Sequence, residues 1–215
     1  MCSSDLSLGT DQVAALSTSQ IAAIETRDVA SLASHQIAAL SVSQVAAFTT
    51  AQIVAFETRD IAAFDSSQIG ALTTAQIGAL TAAQIGAIET ADLAGLGSAA
   101  LRAFSTAQIV ALGSAQVAAL TTVQLNAMTT AQIAVLETGD ILALHADQIA
   151  SLGTTQIVAL STRQIAAFTT EDIASLTTAQ AAVLTTTQLG ALSTQQIAAI
   201  ETTDLVAMSA AQLSS

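Results

Sequence analysis

The stretch Leu16-Ser17-Thr18-Ser19-Gln20-Ile21-Ala22-Ala23 decides how the chain folds, because it recurs with small changes from about residue 8 to the last residue. Counting octads from Gly9, the first runs to Leu16 and the twenty-fifth ends at Met208, with Ser209 to Ser215 beginning another. The eighth position is large and apolar every time, and all five phenylalanines (Phe48, Phe56, Phe64, Phe104 and Phe168) fall there. The fifth is Ile, Val or Leu except at Ala181, the fourth is Gln or Asp except at Ala100, and the sixth and seventh are mostly Ala or Gly. Such a fixed period is the signature of a quasi-one-dimensional repeat array.

Three backbone arrangements compete for an eight-residue period. In one continuous α-helix, eight residues turn about 800°, so the Ile and Leu stripe would wind around the axis and no straight partner could cover it. In a strand, the fifth and eighth positions face opposite sides, and Ala and Gln are poor strand formers, which leaves a β-solenoid as the alternative. The third arrangement is a chain of very short helices, and here the octad fits residue by residue.

With Ser17 as N-cap, its hydroxyl accepts from the Gln20 N–H and the Gln20 side chain reaches back to the Ser17 N–H, the S/T-x-x-Q capping box. Leu16 and Ile21 then occupy the two positions of a hydrophobic staple. Ala22 and Ala23 extend the turn with good helix propensity, and Ile24 already precedes the next cap. A helix this short does not persist alone in water, so its stability must come from its neighbours. The octad therefore predicts an all-α solenoid, one very short helix per repeat, with Leu, Ile and Phe inside and Thr, Ser and the third residue outside.

Composition agrees with an array. Lys, Tyr, Trp and Pro are absent and Asn occurs once, at Asn126. No linker interrupts residues 7–215, which read as a single octapeptide-repeat solenoid, a fragment of a longer array. Residues 1–6, Met1 to Leu6, look like the translation of a sequencing adapter and are set aside as a scar; Cys2, the one cysteine, falls within them, so no intramolecular disulfide is expected. The net charge of −12, from 16 acids against four arginines, would repel a nucleic-acid backbone or an anionic membrane surface. Apolar runs of about four residues are far short of the roughly 20 that span a bilayer, and no signal peptide is visible.

Acidic residues supply the variation that could carry chemistry. Glu25/Asp28, Glu57/Asp60, Glu89/Asp92, Glu137/Asp140 and Glu201/Asp204 each place Glu at the first position and Asp at the fourth, at spacings of 32, 32, 48 and 64 residues. If two octads made one coil, all five pairs would share a face. Paired carboxylates suit Ca²⁺ or another hard cation; the competing reading is that acids in a first helical turn complement the helix dipole and keep an apolar repeat in solution. Five copies without a cleft argue against a hydrolase built on such a pair.

His35 and His145 sit at outward positions of distant octads without a recurring partner for a triad. Arg27 and Arg59 fall inside acidic pairs as local charge balance, and Arg102 lies in the irregular octad Gly97 to Phe104. Phe48, Phe56 and Phe64 occupy consecutive core positions and are expected to fill a wider part of the core.

The run Leu72-Thr73-Thr74-Ala75-Gln76-Ile77-Gly78-Ala79-Leu80 resembles repeat arrays of large bacterial proteins labelled haem-utilisation or adhesion proteins. The resemblance covers the chain after the scar and carries over no haem-binding residue. A fainter similarity to the opening of TAL-effector repeats lacks the rest of that repeat and its basic character. The resemblance implies a secreted or cell-surface structural module, stalk-like or adhesin-like, contacting a protein or cell-surface partner and without catalysis; the alternative is a cation- or haem-binding array.

Overall fold

A computed structural model describes residues 8–214; the scar proposed at residues 1–6 lies outside the described residues. Among the described residues there are twenty-five α-helices of four to six residues, one 3₁₀ turn and no strand, so the all-α solenoid is the fold and the β-solenoid is not. Contacts divide the chain into two compact units, up to Leu112 and from Gly113, each built in the same way.

The local rules are those of the octad. Helix Thr18–Ala23 starts from Ser17, whose extended backbone (φ −71°, ψ 159°) ends the preceding unit and whose hydroxyl accepts from the Gln20 N–H. The same cap recurs at Ser41, Thr49, Thr73, Thr121, Ser161 and Thr177. Each helix stops when the eighth residue turns extended and its N–H closes a tight turn on the fifth carbonyl, as from Phe56 N–H to Ile53 O at 3.3 Å. Two consecutive extended residues, the eighth and the next first, thus redirect the chain, and no described residue takes a positive φ. That explains why the array needs no glycine or asparagine turn at its corners.

Burial follows position. Fifth-position residues such as Ile21, Ile53 and Ile109 are fully buried, and eighth-position residues are nearly so. Eighth-position side chains of successive octads meet inside the coil: the Phe48 and Phe56 rings lie 5.1 Å apart at 78°, and Phe56 and Phe64 lie 5.5 Å apart at 85°. These edge-to-face contacts add to the area they bury, and the three phenylalanines lie buried in the core.

In the first unit, helix Thr18–Ala23 packs on Val42–Ala47, which packs on Ser66–Ala71. In the second, Ser114–Ala118 packs on Thr138–Ala143 and Ala146–Ser151 on Thr170–Ser175. Helices three octads apart therefore touch, while the hydrogen bonds described below reach four octads back. One coil takes between three and four octads, not two, so the acidic pairs do not line up on one face by the two-octad rule.

The tightest approach is local. A Cβ on Gly95 would fall 2.0 Å from Ser66 O, and one on Gly70 would fall 2.6 Å from Gly95 O. There the octad Glu89–Leu96 is reduced to the 3₁₀ turn Leu93–Gly95.

Candidate functional site: the fourth position

From Gln36 to Gln196 the fourth-position glutamines are buried, with Gln52, Gln76 and Gln164 each 2% exposed. Its amide does two things at once. Gln52 Oε1 accepts from the Thr49 N–H at 2.7 Å and from the Thr49 hydroxyl at 3.1 Å, completing the cap of its own helix. Gln52 Nε2 donates to the carbonyls of Ile21 and Ile24, both at 2.8 Å, in the coil beneath.

The pattern recurs in both units. Gln76 donates to Val45 and Phe48, Gln84 to Ile53 and Phe56, Gln164 to Ile133 and Leu136, and Gln188 to Ile157 and Leu160. In each case the acceptors lie 31 and 28 residues earlier. They are the fifth and eighth carbonyls, groups that a short helix leaves exposed at its C-terminal end. One side chain thus satisfies the N-terminus of one helix and the C-terminus of another, and so stitches successive coils together.

The S/T-x-x-Q pattern signals only the first of these bonds. A signal for the second is present. A capping box is served equally by Glu or Gln at this position, yet Glu never occurs at the fourth position; a carboxylate cannot donate.

Aspartate replaces glutamine at Asp28, Asp60, Asp92, Asp140, Asp172 and Asp204. Asp60, Asp140 and Asp204 are buried. The cap survives: Asp60 Oδ2 and Asp140 Oδ2 accept from the Glu57 and Glu137 N–H groups, both at 2.9 Å. The stitch does not, because an ionised carboxylate has no hydrogen to offer.

The other carboxylate oxygen is handled differently at each site. Asp140 Oδ1 accepts from the Ser114 hydroxyl at 2.8 Å and Asp204 Oδ1 from the Thr178 hydroxyl at 2.9 Å, each 26 residues earlier. Asp60 Oδ1 has no hydrogen bond and lies 3.5 Å from Arg59 Nε, and Asp204 Oδ2 is buried without a partner. Burial pushes the Asp60 carboxyl above its ordinary range, offset in part by the Glu57 N–H and by Arg59. Burial also raises Asp92, with Glu89 and Asp65 adding negative charge beside it.

The acidic pairs therefore split. Asp60 and Asp140 turn inward to the backbone, whereas Glu25 and Glu57 remain exposed, 3.1 and 3.3 Å from Arg27 and Arg59 respectively. This is the local charge balance expected of those arginines. Glu89, Glu137 and Glu201 are likewise exposed. Among the described residues no group of three or more His, Cys, Asp or Glu is placed to hold a metal ion. His35 and His145 are exposed, and the His145 N–H donates to Gln148 Oε1 at 2.8 Å. Ala100 can neither accept from nor donate to its neighbours, and helix Ser98–Arg102 forms without a side-chain cap. No helix among the described residues is long and apolar enough to cross a membrane.

Asp172 follows Thr169 rather than a glutamate and so belongs to no Glu/Asp pair. Once it is included, the aspartates run 28, 60, 92 and 140, 172, 204, with 32 residues between neighbours in each set. Four octads therefore form a higher-order repeat.

No curated protein matches the sequence. A family does, at residues 21–56, 53–87, 85–122, 133–170 and 165–199, and each of these stretches begins seven residues before one of the aspartates. The period found in the aspartates is thus also the period of the match. The stretches together cover most of the chain, and the chain belongs to the ALTTAQ repeat family.

Proposed function

We propose that the chain is a structural and interaction module, a length of stalk or adhesin-like surface in a secreted or surface-attached bacterial protein, acting without catalysis. The observation that carries this reading is how the side chains are used. The buried polar groups, the fourth-position Gln and Asp, are turned to backbone groups and to hydroxyls of the same array. The third residue is free to vary from Ser19 to His35, Arg59, Thr155 and Glu171, and all of these are exposed. A scaffold that holds constant what it buries and varies what it displays suits contact with a protein or cell-surface partner. Exposed Thr and Ser hydroxyls beside these residues supply adaptable hydrogen bonding.

Antibody against the array should label intact source cells, and beads coated with the purified chain should be retained under flow on a surface carrying the partner cells. Labelling that requires permeabilisation would overturn the surface placement. Retention no greater than for beads coated with an unrelated acidic helical protein would overturn the adhesive role.

A further inference from the structure

The Asp60 carboxylate stands where most octads place an amide. Its Oδ2 accepts from the Glu57 N–H at 2.9 Å, the counterpart of the bond from the Thr49 N–H to Gln52 Oε1. Its Oδ1 therefore takes the place of Nε2, on the side of the coil beneath. By the 28- and 31-residue register of the Gln52 bonds, the carbonyls on that side are those of Leu32 and Val29. Oxygen thus faces oxygen. Asp60 is fully buried and its Oδ1 has no hydrogen bond. Val29 O already takes the Leu32 N–H at 3.1 Å, whereas among the described residues no backbone N–H donates to the Leu32 carbonyl.

We propose that Asp60 is an acid-closed seam between coils: a proton taken from solvent onto Oδ1 turns the carboxyl into a donor, and its O–H bonds to the Leu32 carbonyl as Gln52 Nε2 bonds to that of Ile24. When the carboxyl ionises, the proton returns to water and the bond is lost. One proton serves two buried oxygens, since it removes the charge from the carboxylate and gives the carbonyl a partner, and both are costly to leave unpaired away from water.

The charges around Asp60 leave this role open. Arg59 Nε lies 3.5 Å from Oδ1, but the Arg59 side chain is 61% exposed and also pairs with Glu57. In the octad beneath, Arg27 pairs with Glu25 and Asp28. Of the helices packed on Thr58–Ile61, Ser34–Ala38 carries the exposed His35 and Ala82–Gly86 carries no titratable group. The next helix starts from the exposed Asp65. Burial favours the neutral carboxyl and outweighs Arg59. Asp140 differs, because the Ser114 hydroxyl already donates to its Oδ1 at 2.8 Å. The inference goes beyond the proposed function, which does not depend on pH, and it rests on the stitch rather than on that reading.

The test is a pH titration of the 215-residue chain followed by carbon-13 nuclear magnetic resonance at the Asp60 carboxyl and the Leu32 carbonyl. Both signals should move together through a shared midpoint above 3.8, while the Ile24 carbonyl, bonded to Gln52, stays still. Asp60→Asn, whose amide donates without titrating, should hold the Leu32 signal at its acid position throughout. Arg59→Ala should raise both midpoints together, and His35→Gln should leave both in place.

A Leu32 signal that does not follow Asp60, that follows His35 instead, or that still titrates in Asp60→Asn would overturn the inference. So would an Asp60 midpoint at or below 3.8. Should Asp60→Asn lose the wild-type circular dichroism spectrum, Asp60→Gln replaces it with the same expectation.

Discussion

Two neighbouring octads, Thr49–Phe56 and Glu57–Phe64, share a core through Phe56 and Phe64 and differ in how they meet the coil beneath. In the first, Gln52 caps its own helix and donates to Ile21 and Ile24. In the second, Asp60 makes the cap and leaves its other oxygen buried without a hydrogen bond. The helix forms in both, so helix initiation and coil stacking are separable tasks. Glutamine performs both and aspartate performs one. The difference teaches that the array is held by two kinds of bond, one within most octads and one between coils that lapses where aspartate replaces glutamine.

The largest effect should come from breaking the better octad. Gln52→Ala leaves the Thr49 N–H and the Ile24 carbonyl without their partner and takes from the Ile21 carbonyl one of its two donors, the other being the Ile24 N–H; each buried unpaired group costs about 1–3 kcal/mol. A loss of about 3–5 kcal/mol in denaturant unfolding is expected. Gln52→Glu keeps the capping oxygen and removes only the donor, so it should cost about 2–3 kcal/mol; equal stability of Gln52→Glu and wild type would erase the distinction between the two octads.

Next in size is the reverse change. Asp60→Gln supplies the missing donor where the register calls for one and should stabilise by about 1–2 kcal/mol. Asp140→Gln should gain less, because it forfeits the Ser114 hydroxyl bond.

The pH dependence sharpens the same contrast. Burial holds the folded pKa of Asp60 above its ordinary value of 3.8. A carboxyl raised in this way favours folding fully below about 3.8, and that contribution is lost as pH rises through the folded value. Relative to Asp60→Asn, which cannot ionise, the wild type should therefore become less stable in thermal melts as pH rises above about 4. A difference that is flat with pH would contradict the burial of a charge there.

Smaller still is the cap hydroxyl. Thr49→Ala should cost about 1 kcal/mol. Glu57→Ala should lie within about 0.5 kcal/mol of wild type, since Glu57 makes no side-chain cap and its pairing with Arg59 is exposed.

Much of the fold was legible in the octad itself. The capping box, the restart every eight residues and the inward fifth and eighth positions are local features, and Ser17, Gln20 and Ile21 state them in order. The coil repeat was not legible, because it depends on how far each pair of extended residues swings the chain, and no residue announces that angle. The fourth position was half legible. Oε1 serves a neighbour three residues away, whereas the partners of Nε2 lie 28 and 31 residues earlier and become visible only once the coil is closed. Glu57 and Asp60 are neighbours in sequence yet face solvent and backbone respectively, a division that no local pattern announces; the period legible in the sequence is that of the aspartates, with Asp172 among them.

The dual role of glutamine can be measured directly by hydrogen exchange of the side-chain amides in nuclear magnetic resonance spectra, taken where the chain is monomeric. Gln52 and Gln76, whose Nε2 groups donate to the coil beneath, should exchange on the order of tenfold or more slowly compared with the exposed Gln12 and Gln20, whose Nε2 groups have no acceptor among the described residues. Equal exchange at all four would contradict the stitch and with it the account of how one coil is fastened to the next.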